Sequence, residues 1–158
     1  MRKGEGMRFG FFDQLPCADG FSEHQRYKDI LAQIDLGDAL GFDTVWLGEI
    51  HFIRPFSILS DPLMALAAAA QRTKQIRLGT AVTLLPLHNP VKIAEEAAIA
   101  DILSDGRLEF GVGRGTTRIT AFRRRRAARG SKRRSISSSR RGPANPFRST
   151  ANIFTLAT

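Results

Sequence analysis

The sequence predicts an α/β protein, and three observations carry that reading. Short apolar runs suited to strands alternate with longer segments of helical period through Gly115. Three helix starts carry explicit caps, at Ser22, Asp61-Pro62 and Asn89-Pro90. Each connection between strands contains a helix, which calls for parallel neighbours and right-handed crossovers. The order is βαβαβαβ. It fits either the first half of a (β/α)8 barrel or an open doubly wound sheet, and the spacing alone does not separate the two.

The first strand is read over Met7–Phe12, an apolar run followed by a loop holding Pro16 and Gly20. Ser22-Glu23-His24-Gln25 matches a capping box, in which the hydroxyl and the Gln side chain each satisfy an orphan amide. The helix after it places Tyr27, Ile30, Leu31 and Ile34 on one face. Gly41 ends it, since glycine takes the left-handed cap conformation cheaply. Phe42–Leu47 is the second strand. Asp61-Pro62 opens a helix to about Arg72, with proline where its missing N–H costs nothing. Ile76–Leu85 holds the third strand, and Asn89-Pro90 opens a helix from Val91 to about Leu103. Asp105-Gly106 turns the chain into a fourth strand, Arg107–Val112.

Charge divides the chain at a seam near residue 115. Residues 1–115 hold 12 Lys and Arg against 15 Asp and Glu, a net charge of −3. Residues 116–158 hold the other 12 basic residues and no acidic ones, so the +9 of the whole 158-residue chain averages two unlike pieces. The domain reading is therefore 1–115 as the folded unit and 116–158 as a basic, low-complexity tail. Arg123–Arg126, Lys132-Arg133-Arg134 and Ser137–Ser139 give that tail no sustained period. Such composition does not bury enough apolar surface to offset its ordering entropy, and disorder is expected. A basic arm is one route to nucleic-acid binding through phosphates, but Phe122, Phe147 and Phe154 are not interleaved with the basic residues for base stacking. The single cysteine, Cys17, forms no internal disulfide, and no Cys/His cluster suggests zinc. The N-terminus lacks the apolar core of a signal peptide, and Pro62–Ala70 is too short to span a bilayer. A cytoplasmic protein without a membrane partner is the expectation.

Three constellations carry candidate chemistry. Glu49-Ile50-His51 places a carboxylate and an imidazole just past the second strand, as acid, base or hydrogen-bond donor to a bound ring. The bland reading is a surface pair that steadies a loop. Gly111-Val112-Gly113-Arg114-Gly115 combines small residues with a guanidinium able to grip a phosphate. It is not the dinucleotide fingerprint, because Thr116 stands where GxGxxG needs glycine. A glycine-rich strand end with a solvated arginine is an equal alternative. Gly79-Thr80-Ala81-Val82 leaves room for a flat ring, although such residues more often only pack a core. His24 reads as solvated; His88, just before Asn89-Pro90, is placed where it could face the site, although a capping or loop role is the commoner reading.

Taken together, these pieces resemble the luciferase-like monooxygenase family, the flavin-dependent barrels that include bacterial luciferase. The resemblance runs through Phe42–Leu47 with Glu49 and His51, then Arg72–Val82, Leu85–Val91, Ala94-Glu95-Glu96 and Leu103–Gly115. Each piece is unspecific, but their order and spacing together are specific. The resemblance implies the first half of a (β/α)8 barrel. It implies reduced FMN (in some branches a deazaflavin) supplied by a separate flavin reductase, and oxidation of a small organic substrate by O2. It would place Glu49 and His51 at the catalytic centre and Arg114 at the flavin phosphate. It would place Gly79, Thr80, Ala81 and Val82 against the flavin ring, with a non-prolyl cis peptide between Ala81 and Val82. A full-length form would be a candidate dimer. Luciferases have Glu-His-His after the second strand and use the first histidine. Here Ile50 fills that place, which argues against light emission and lends weight to a second reading, a flavin-binding protein without turnover.

The family continues past the fourth strand with a pattern the tail lacks. A neighbouring reading frame, with permitted codons, turns Arg129–Ile136 into Glu-Arg-Phe-Glu-Glu-Ala-Leu-Asp. It turns Gly142–Phe154 into Trp-Thr-Gly-Lys-Pro-Phe-Ser-Phe-His-Gly-Lys-Tyr-Phe. An out-of-frame origin for residues 116–158 is the expectation, making the chain a fragment. Four strands with open edges on the first and fourth would then leave it unstable and a weak flavin binder.

Overall fold

The computed structural model of the chain describes residues 7–115 and 152–155, the last four for their backbone alone. The elements in order are β1 (Gly10–Asp13), α1 (Glu23–Leu40), β2 (Thr44–Leu47), α2 (Pro62–Ala70) and β3 (Arg77–Leu84). A 3-10 turn (Leu85–Leu87) leads into α3 (Pro90–Leu103), and β4 (Leu108–Gly113) and β5 (Asn152–Thr155) follow. All five strands are parallel, in the spatial order β1-β2-β3-β4-β5. A doubly wound sheet reverses strand order at a switch point. This one never reverses, so it is the wall of a (β/α)8 barrel.

The caps act as the sequence suggests, with one difference. Ser22 accepts from the Gln25 amide at 3.4 Å, Asp61 from Met64 at 3.1 Å, and Asn89 from Val91 and Lys92 at 3.0 and 3.2 Å. Gly41 closes α1 at φ +81°. The Gln25 side chain does not complete the capping box. Its NH2 group donates to Asp29 at 2.8 Å, one turn on, and this charge-assisted bond turns the side chain along the helix rather than back to Ser22.

Alternation along the strands sorts the faces. Val45, Leu47, Leu78, Leu108 and Phe110 pack toward the helices with Ile30, Ile34, Leu66 and Ile93, forming one apolar cluster. Fully burying each such side chain stabilises the fold by about 1.5–3 kcal/mol. The register Phe12–Trp46–Gly79–Glu109 lies on the other face. The Trp46 indole there occupies the space a side chain on Gly79 would need. Glycine at 37 lets α1 approach β1, since a Cβ would sit 2.7 Å from the Phe11 ring.

Two expectations are corrected. The tail was read as lacking regular structure, yet Asn152–Thr155 pair with Glu109–Val112 as a fifth parallel strand. Ile153, Phe154 and Thr155 are good strand residues, and β4 offered an unpaired edge. The open edge expected on β4 is thus covered, and β1 forms the outer edge opposite. The remaining tail expectations, including the arginine runs, fall on residues outside those described. Among the described residues, no helix is long and apolar enough to cross a membrane.

Candidate functional site

The site is built where the strands end. β2 finishes at Leu47, in register with Thr80 of β3. The chain passes through buried Gly48, where a Cβ would lie 3.3 Å from both the Ala81 carbonyl and the Phe12 ring. Glu49 follows and is buried, at 3% exposure. A buried carboxylate is costly unless it is well partnered. Glu49 accepts from the Leu84 amide at 2.7 Å and meets His51 Nε2 at 2.8 Å. His88 Nε2 stands 3.0 and 3.1 Å from its two oxygens. A carboxylate only accepts, so both imidazoles present N–H through Nε2. That leaves Nδ1 of each ring for other chemistry. Both histidines are half-buried.

The sequence reading named Glu49 and His51 but set His88 aside as a loop residue. The structure brings all three together. The missed signal was spacing along parallel strands: the 3-10 turn after β3 returns His88 to the same rim as the end of β2.

The second group lies on β3. The Ala81–Val82 peptide is cis, as the resemblance implies. The pairing of β3 with β4 shifts register between Thr80 and Thr83. Thr80 is fully buried; its hydroxyl donates to the Gly111 carbonyl at 2.7 Å and accepts from the Gly111 amide at 3.0 Å. Ala81 and Val82 are half-buried. Gly113 has no room for a side chain, because a Cβ there would stand 2.5 Å from a Val82 methyl. Arg114 follows at the end of β4, one strand further round, and is exposed.

The loop between β2 and α2 is held firmly. Arg54 donates to the carbonyls of Cys17, Ala18 and Phe21 at 3.1, 3.0 and 2.7 Å, and to Glu23 at 3.1 Å. Tyr27 donates to Ile58 at 2.9 Å, and burial raises the Tyr27 phenol above its ordinary pKa, helped by Glu23 and Asp61. Cys17 is buried and its thiol is free.

A parallel barrel wall with a carboxylate–imidazole cluster at its C-terminal rim has the layout of a barrel enzyme. Comparison with known proteins names the family. The sequence model for "Luciferase-like monooxygenase" matches residues 7–133. The chain belongs to that family, and the match runs past the charge seam at 115. The oxygenase component of a flavin-dependent trigonelline monooxygenase from Acinetobacter baylyi is 36% identical over 110 residues. That match covers 69% of this chain and 30% of the relative. Among solved structures, the oxygenating constituent of 3,6-diketocamphane monooxygenase from Pseudomonas putida, in complex with FMN, superposes with a TM-score of 0.68. It is 25% identical, over 74% of this chain and 32% of that one. An F420-dependent secondary alcohol dehydrogenase matches with a TM-score of 0.54 at 27% identity, over 68% of this chain and 32% of that one. The chain spans about a third of the length of these relatives.

Proposed function

We propose that this chain supplies the Glu49–His51–His88 rim of a two-component flavin-dependent monooxygenase. It would use O2 and reduced FMN from a separate flavin reductase to oxidise a small organic substrate. The observation that carries this is the buried Glu49, which gathers two imidazoles and the Leu84 amide beside Ala81 and Val82. The residues fit a flavin. Ala81 and Val82 offer an apolar, half-buried surface at the end of β3, and Arg114 offers a guanidinium at the end of the next strand. Bound reduced flavin supplies the electrons that let one oxygen atom of O2 enter the substrate while the other leaves as water.

The chain's own residues do the rest. Arg114 grips the phosphate in a fork. Gly79 and Thr80 contribute backbone, since the side-chain space at Gly79 is taken by Trp46 and the Thr80 hydroxyl is spent on Gly111. Ala81 and Val82 line the ring. Glu49 fixes the tautomer and tilt of His51, which holds or moves a proton at Nδ1. FMN is favoured over F420 by the closer superposition of the FMN-bound neighbour.

The test compares FMN with riboflavin, which lacks the phosphate. Arg114→Ala is expected to weaken FMN binding by about tenfold or more and to leave riboflavin unchanged. Equal losses for both would sink the phosphate assignment. Consumption of O2 with reduced FMN that rises with substrate separates a monooxygenase from a flavin-binding protein without turnover. The out-of-frame origin of residues 116–158 also stands as a proposal. Sequencing the gene across the codons for Glu109–Thr120 in the source organism would support it by revealing an extra or missing base.

A further inference from the structure

The Glu49 side chain is wholly covered, at 0% exposure, while the His51 and His88 side chains beside it stand at 21% and 23%. The two rings thus meet the solvent and the carboxylate does not. They do not hold it equally. His51 Nε2 meets a single oxygen, Oε1, at 2.8 Å. His88 Nε2 stands 3.0 and 3.1 Å from Oε1 and Oε2, so it straddles the group. The Leu84 amide pins Oε2 at 2.7 Å. One pinned oxygen leaves a carboxylate free to pivot, whereas a donor across both oxygens fixes its plane. His88 is itself well anchored. Its amide donates to the Leu85 carbonyl at 3.2 Å across the 3-10 turn, and Asn89 next to it caps α3. Pro86 and Pro90 stiffen the backbone on either side.

We infer that His88 is a positioning residue. Acting through Glu49, it fixes the orientation and tautomer of His51. With the carboxylate plane set, Oε1 faces His51 in one direction, and the imidazole keeps its proton on Nε2 and its lone pair on Nδ1. The His88 ring also keeps water off Glu49, where a charge-assisted bond is stronger than it would be in solvent. Loss of the ring would admit water to both oxygens, and water would compete with His51 for them. A capping or loop role alone would use only the His88 backbone and leave Nε2 without a task. What His51 does in the reaction rests on the proposed function; how it is held does not.

The experiment uses the whole 158-residue chain. The parent is expected to show a His51 Nε2–H proton resonance protected from exchange with water, assigned by its loss in His51→Gln. The His51 ring nitrogen shifts report the tautomer. In His88→Ala, exchange of that proton should speed up about tenfold or more, the effect of losing a bond to a charged group. The Nδ1–H tautomer of His51 should become populated at the same time. His88→Gln, whose amide restores a donor, should return exchange to within about threefold of the parent. Asn89→Ala is the control: it removes the α3 cap, and should lower the unfolding midpoint while leaving His51 unchanged. If His88→Ala does not fold, His88→Phe removes the donor, keeps a ring in place and is read the same way. A His51 proton and tautomer unmoved by the loss of His88 overturn the inference. So does His88→Gln behaving like His88→Ala, or Asn89→Ala disturbing His51 as much as His88→Ala does. FMN binding is measured on the same samples. The expected His51 response in a chain that binds no FMN would leave this inference standing while the flavin reading fell. FMN binding with an unresponsive His51 would do the opposite.

Discussion

The two ends of this sheet are built from the same residue types to opposite purposes. At the N-terminal ends of the strands, charge is used up in closing the structure. Asp38 accepts from the amides of Lys74, Gln75 and Ile76 at 3.0, 2.8 and 2.7 Å, fixing the entry to β3. Arg107, just before β4, donates to the carbonyls of Ala70, Thr73, Ile76 and Ser104 and to the Thr73 hydroxyl, at 2.8–3.1 Å. It thereby closes the C-terminus of α2 against the sheet. At the C-terminal ends, a carboxylate also gathers its neighbours, but they are imidazoles with nitrogens to spare. Backbone irregularity is heavier here: the cis Ala81–Val82 bond and positive φ at Leu15 and Phe52 lie on this side, against Asp105 at φ +55° in the turn before β4. Barrel enzymes separate stability from chemistry along the strand axis, and the proposed site puts this wall's chemistry at the end where the imidazoles gather.

The largest test of that contrast is Arg107→Met. It removes five hydrogen bonds and leaves buried carbonyls without donors. A loss of about 3–5 kcal/mol is expected in urea or thermal unfolding. Arg107→Lys should recover little of it, because a point charge does not reproduce the guanidinium fork. Burial lowers the Arg107 pKa from its ordinary value despite Asp38 and Asp105, and the group remains charged across the working pH range. An Arg107→Met protein as stable as the parent would remove the distinction between the two ends.

Glu49→Gln is expected next, at about 2 kcal/mol. An amide offers one accepting oxygen where the carboxylate offers two, so one of Leu84 N–H, His51 and His88 loses its partner. The sharper readout is functional: the His51 resonance should broaden or move as its tautomer is released. A stability loss with an unmoved His51 would make Glu49 a packing residue only.

Asp38→Asn probes the structural end through pH. Burial opposes the Asp38 charge, but the three backbone amides and Arg107 outweigh it and lower its pKa below the usual carboxylate range. A group with a lowered folded pKa adds stability that is fully present above its unfolded value near 3.9 and is lost as pH falls through the folded value. At pH 7 the variant should be about 1–2 kcal/mol less stable than the parent. The gap should narrow as pH drops below about 4. A gap that is constant from pH 7 to pH 2.5 would show that the charge of Asp38 is not what holds β3 in place.

The structural end was more legible in sequence than the chemical end, for a physical reason. Caps and turns are local: Asp61-Pro62, Asn89-Pro90 and Gly41 announce themselves within four residues, and they bounded helices within a residue or two of those seen. The choice between barrel and open sheet was not legible from spacing, because both need the same βα units; only the unreversed strand order decides it. His88 was ranked as a loop residue first because it lies 39 residues from Glu49 and meets it through parallel register, which no local pattern encodes.

The smallest expected effect has the sign that matters most. If Phe52 is held in strain for a purpose, Phe52→Gly should stabilise the chain rather than weaken it. Glycine takes φ +61° without steric cost, and an exposed ring contributes little burial to lose. Relief of the side-chain clash favours the variant, while the extra backbone freedom of unfolded glycine works against it. A net gain of about 0.5–1 kcal/mol in thermal or urea unfolding is the expected balance. A destabilised Phe52→Gly protein would mean that the ring supports the loop, and the contrast between the two ends would then rest on the Glu49 cluster alone.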